Sequence, residues 1–117
     1  MKEGIIYVTA TPYARSVPFG NDRLEDVALQ YIPAQRQLVV TFYYQGVSFA
    51  LFCLNDGGAL QPIRVVHHLR KDDGNLRVQL MEAVLNDRLE ELYRAVSSAG
   101  PGFRAYVHRE IGADFQI

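Results

Sequence analysis

Three histidines, one cysteine and a few acidic pairs are the side chains of this sequence whose chemistry could carry a reaction. The densest stretch is IRVVHHLRKDDGN, Ile63 to Asn75. It places His67 and His68 side by side, then Arg70 and Lys71, then Asp72 and Asp73. A metal site needs its ligands to converge. Neighbouring side chains leave a strand on opposite faces, and on a helix they point about 100° apart. His67 and His68 therefore do not fit one ion, as H-x-H on a strand or H-x-x-x-H on a helix would. No metal and no cofactor is expected.

Nucleophilic and acid–base chemistry are no better marked. Cys53 sits in an alternating apolar run, where its thiol falls on the core side, whereas a nucleophile needs a cleft and an activating base. Asp72 and Asp73 precede a glycine, a turn or cap pattern, and Glu90 and Glu91 lie on the polar side of a helix. No carboxylate pair has a spacing that demands general acid and base roles. The glycines of Asn55–Gly58 lack the lysine and following helix of a phosphate-binding loop. An enzyme, or a small-ligand or nucleotide-binding domain, would need a concave site assembled by the fold from Tyr7, Tyr13, Arg15, His67 and His108.

Composition narrows the partners. The chain has 117 residues, 49% of them hydrophobic and 21% charged, with a net charge of −1. That is the size and balance of one globular domain, 1–117, with a real core. There is no global field to attract an anionic polymer. One cysteine excludes an internal disulfide framework and suits a reducing cytoplasm. The N-terminal apolar run, Ile5 to Val8, is too short for a secretion signal, and no run spans a membrane. The cations are ten arginines and two lysines. Arginine suits protein interfaces through paired hydrogen bonds and stacking.

The elements that must position these residues are clearest in QLVVTFYYQGVSFALFCL. A two-residue loop at Gln45-Gly46 makes a hairpin, with glycine where positive φ is needed. Tyr44 then faces Val47, Phe42 faces Phe49, Val40 faces Leu51 and Leu38 faces Cys53. All eight are apolar or aromatic, so this is the core face, and a one-residue slip would destroy the match. The other face carries Val39, Thr41, Tyr43, Ser48, Ala50 and Phe52. Its apolar members suggest a contact patch for a second copy or another protein.

Upstream, Asp22–Ile32 fits two templates. As a strand, Val27, Leu29 and Tyr31 alternate, and PAQR turns the chain into Leu38. As a helix, Asp22 would cap a stripe of Leu24, Val27, Ala28 and Tyr31. The strand fits better. Downstream, Val78, Met81, Leu85, Leu89, Leu92 and Val96 form one helical stripe, capped by Asn75 and stopped near Gly100-Pro101. A rival reading has Leu76, Val78 and Leu80 alternating as a strand before a helix starting at Asp87. Phe103, Ala105 and Val107 alternate like a last strand. With strands also expected at Gly4–Ala10 and Pro62–Leu69, this is an α+β domain. It is an antiparallel meander of five to six strands with one main helix on one face.

If Asp22–Ile32 were helical, the order would be the ferredoxin-like βαββαβ. In that frame Ile6–Thr11 (IYVTAT) and Gln45–Phe52 (QGVSFALF) resemble the two strand motifs of RNA-recognition domains, with Gly46, Phe49 and Phe52 matching. The resemblance implies a single-strand nucleic-acid binder. Gln45 stands for the basic residue and Val47 for the first stacking aromatic, and the face lacks arginine or lysine to hold phosphates. The sequence thus argues against nucleic acid. It favours a binding protein of inhibitor, immunity or adaptor type, working through a sheet face as a homodimer.

Overall fold

The computed structural model describes residues 10–68 and 75–112. Five strands form one antiparallel sheet in chain order. They are β1 (Thr11–Phe19), β2 (Asp22–Ile32), β3 (Gln37–Tyr44), β4 (Val47–Asn55) and β5 (Leu60–His67). Three helices follow: α1 (Leu76–Asp87), α2 (Leu89–Ser97) and α3 (Pro101–Glu110). The α+β meander is as expected, and with Asp22–Ile32 in the sheet the ferredoxin-like order is excluded.

The β3–β4 hairpin has the register read from its sequence, from Tyr44↔Val47 to Leu38↔Cys53. Gln45 and Gly46 both take positive φ, 52° and 82°, which matches the loop to the right-handed twist of its strands. Between β2 and β3 a short 3-10 turn at Pro33–Gln35 ends on Arg36 in the left-handed region.

Three elements differ from the expectation. β1 covers residues read as loop, because TPYARSVPF contains two prolines. Among the described strands β1 is a sheet edge, where a missing N–H removes no ladder bond, so prolines are tolerated. Val17 and Phe19 still reach the core. Of the expected strand Gly4–Ala10, residues 4–9 lie outside the described residues and Ala10 precedes β1. The long helix is two, broken at Arg88, whose φ of −118° and ψ of 37° leave the helical region. Residues 101–110, expected as a strand, are α3. Pro101 opens it, a position where proline loses no hydrogen bond, and Phe103, Tyr106 and Val107 face the core at helical spacing.

One core cluster joins the sheet to all three helices. Phe42, Phe49 and Leu51 of the sheet belong to it together with Leu85 of α1, Val96 of α2 and Phe103 of α3. Tyrosine hydroxyls pin the layers. Tyr13 Oη donates to the Val96 carbonyl at 2.8 Å, and the Tyr31 N–H donates to Tyr106 Oη at 2.8 Å. None of the described helices is long and apolar enough to cross a membrane.

Candidate functional site

Helix α1 is apolar on two sides. Asn75 caps it, its Oδ1 accepting from the Val78 N–H at 3.1 Å. Val78, Met81 and Leu85 face the sheet and are buried. Leu76, Leu80 and Val84 form a second stripe at i, i+4 and i+8, about 100° away from the Met81 line. They remain 64%, 57% and 46% exposed. A helix with one buried face ordinarily turns polar residues to water, so a second apolar stripe is a feature to explain.

The stripe is held rigidly. α1 docks along the outer edge of β5 through two polar side chains. The Asn86 amide mimics a strand: Oδ1 accepts from the Val65 N–H at 2.9 Å, and Nδ2 donates to the Val65 carbonyl at 3.0 Å. Glu82 Oε2 accepts from the His67 N–H at 2.9 Å and lies 2.9 Å from His67 Nδ1. These contacts cover a sheet edge that would otherwise offer free backbone groups. His67 is thus part of the clamp between helix and sheet.

Across from the stripe lies the β3–β4 turn. Asp22 Oδ2 braces it, accepting from Tyr44 Oη at 3.1 Å and from Gln45 Nε2 at 3.4 Å. Between them is an open cavity of about 500 Å³, lined by Tyr44, Gln45, Leu76, Arg77, Leu80, Met81 and Val84. Its walls are mainly apolar, with Arg77 at the lip. Among its described lining residues the one hydroxyl is that of Tyr44, which burial and the Asp22 carboxylate raise above its usual range.

The described residues singled out for a ligand pocket do not all line one cavity. Tyr13 and Arg15 share a cavity of about 340 Å³ at the β1–β2 bulge, where Asp26 takes a φ of 49°. His67 is on β5, the opposite edge of the sheet, and His108 is on α3. Tyr7 lies outside the described residues, as do Arg70, Lys71, Asp72 and Asp73. Tyr13 is occupied in structure: its ring packs edge-on against Phe103 at 6.0 Å, and burial raises its hydroxyl pKa. His68 Nδ1 lies 2.8 Å from Ser48 Oγ, and burial, then the neighbouring His67 charge, pulls His68 below the usual histidine range. Cys53 is buried, which pushes its thiol up to about 12. Among the described residues no group of three or more His, Cys, Asp and Glu side chains is placed to hold a metal ion.

The second face of the β3–β4 hairpin is only partly open. Val39 and Ala50 are 2% and 1% exposed within the single chain. Thr41, Ser48 and Phe52 are half-buried, and the Arg64 guanidinium lies over the Phe52 ring at 5.3 Å. Tyr43 is the apolar residue of that set with a large free surface, at 46%.

The sequence contained a signal for the groove that the stripe through Val78 and Met81 does not use. Leu76 and Leu80 are apolar residues left over once the core stripe is drawn. They support a rival strand only if α1 is not helical. On a helix they are a surplus face. Compared with protein-family models, curated proteins and solved structures, the chain matches none of them.

Proposed function

We propose that this protein is a binding protein of adaptor or inhibitor type rather than an enzyme, and that it binds through the groove between α1 and the β3–β4 turn. The observation that carries the reading is the exposed Leu76, Leu80 and Val84 stripe on a capped, clamped helix. An apolar patch on a rigid element is the usual mark of a protein interface. The groove takes the place of the outer sheet face, because Val39 and Ala50 are already covered. The sheet edges are poor docking sites as well. β5 is occupied by Glu82 and Asn86, and β1 carries Pro12, Pro18 and a register shift.

The test is site-specific photo-crosslinking in cells, with a diazirine amino acid at position 80 and, as control, at the exposed Arg104 of α3. Position 80 should give protein adducts that position 104 does not. A captured chain, once purified, should bind the wild-type protein and bind Leu80→Asp at least tenfold more weakly. Equal labelling from both positions, or none from position 80, would overturn the reading.

A further inference from the structure

We infer that the occupant of the α1 groove is a second copy of this chain, its α1 lying antiparallel to the first about a two-fold axis that passes by Leu80. This deepens the binding reading above and rests on it.

Charge is the first argument. The exposed face of α1 carries Arg77 in its first turn and Asp87 at its last residue. Both oppose the helix dipole, which favours acids at the N-terminus and bases at the C-terminus. Neither forms an ion pair with a described residue. Set against the described residues of one chain, their placement is therefore slightly unfavourable. In an antiparallel pair about Leu80 each Arg77 lies level with the other helix's Ala83, one turn short of its Asp87, a gap that an extended arginine spans, and the arrangement occurs twice.

Shape is the second argument. A two-fold interface must be self-complementary, so one patch must carry both projections and recess. This patch does: Leu76, Leu80 and Val84 project from α1, and the adjoining cavity of about 500 Å³ is open to receive them. With the axis at Leu80, Leu80 meets its own copy and Leu76 meets the other Val84. A ligand of different sequence would need neither the symmetry of the stripe about Leu80 nor charges of opposite sign at its two ends.

Sedimentation equilibrium across micromolar concentrations should give twice the chain mass of 13.2 kDa. Arg77→Asp and Asp87→Arg should each weaken association by about tenfold, since each change acts at two symmetric contacts. The double variant should restore it, a rescue that a merely structural role would not produce. Leu80→Cys should oxidise to a covalent dimer, because the position lies on the axis, and buried Cys53 does not compete. Circular dichroism checks that each variant is folded, which the exposure of all three positions favours. A wild-type chain that stays monomeric overturns the dimer. So does a dimer indifferent to the charge reversals, or one that Leu80→Cys does not cross-link. If the dimer fails while the photo-crosslinker at position 80 captures a different, validated protein, the binding reading stands alone. If neither occurs, both fall.

Discussion

Replacing Asn86 by alanine should cost about 2–4 kcal/mol of folding stability, although the residue is neither in the core nor charged. The magnitude follows from its contacts. Asn86 makes three hydrogen bonds: it accepts from the Val65 N–H and donates to the carbonyls of Val65 and Glu82, at 2.9, 3.0 and 2.9 Å. Each such bond contributes about 1 kcal/mol net, and a buried backbone group left unpaired costs about 1–3 kcal/mol. Val65 is 2% exposed, so water reaches its freed N–H poorly. Against a total stability of about 5–15 kcal/mol, the loss is large. Asn86→Asp is the sharper control. It keeps the acceptor for Val65 but turns a carboxylate toward two carbonyls. That environment raises the carboxyl pKa in the folded state, so the variant should lose stability as pH rises through the carboxylate range and recover in acid. Urea unfolding gives the stability, and amide exchange at Val65 reports the clamp directly. If Asn86→Ala shifts stability by less than about 0.5 kcal/mol, the level of ordinary surface changes, and Val65 exchange is unchanged, the clamp is not what holds α1 to β5.

Phe42→Ala and Tyr43→Ala should separate the two faces of the hairpin. Phe42 is buried and stacked on Phe49 at 5.9 Å, so its truncation should cost about 3–5 kcal/mol in chemical unfolding, while Tyr43→Ala should stay within about 0.5 kcal/mol. Gln45→Asn should stabilise the chain by up to about 1 kcal/mol in the same assay, because asparagine accepts the positive φ of 52° at lower cost than glutamine. Stability should fall as pH rises above about 9. Burial pushes Cys53 and Tyr93 each up to about 12, so the folded state holds protons that the unfolded chain releases, and stability is lost between the two pKa values. Cys53→Ala should flatten that decline. Alkylation of Cys53 at pH 8 should likewise require unfolding, and rapid labelling of the native chain would contradict its burial.

What could be read from the sequence was local. The β3–β4 register followed from two facts: a loop whose glycine takes positive φ, and a set of eight residues that is wholly apolar in one pairing only. The Asn75 cap and the core stripe through Val78, Met81 and Leu85 followed from helical spacing in the same way. β2 was decided by residues that alternate up to a turn-forming proline.

The remainder needed neighbours that lie far along the chain. Pro12 and Pro18 read as loop until β1 is known to be an edge. Phe103, Ala105 and Val107 fit a strand, and Phe103, Tyr106 and Val107 fit a helix. Only the Tyr106 contact with Tyr31 and the Phe103 contact with Tyr13 show which face is buried. The candidate site is of the same kind. Periodicity supplied α1 with two apolar stripes but did not rank them. The sheet did, because Glu82 and Asn86 bind the backbone of β5 and thereby set the rotation of the helix. Backbone hydrogen-bonding groups are the same at every residue and leave no trace in side-chain patterning. The contacts that left Leu76, Leu80 and Val84 exposed were therefore decided only by the tertiary structure.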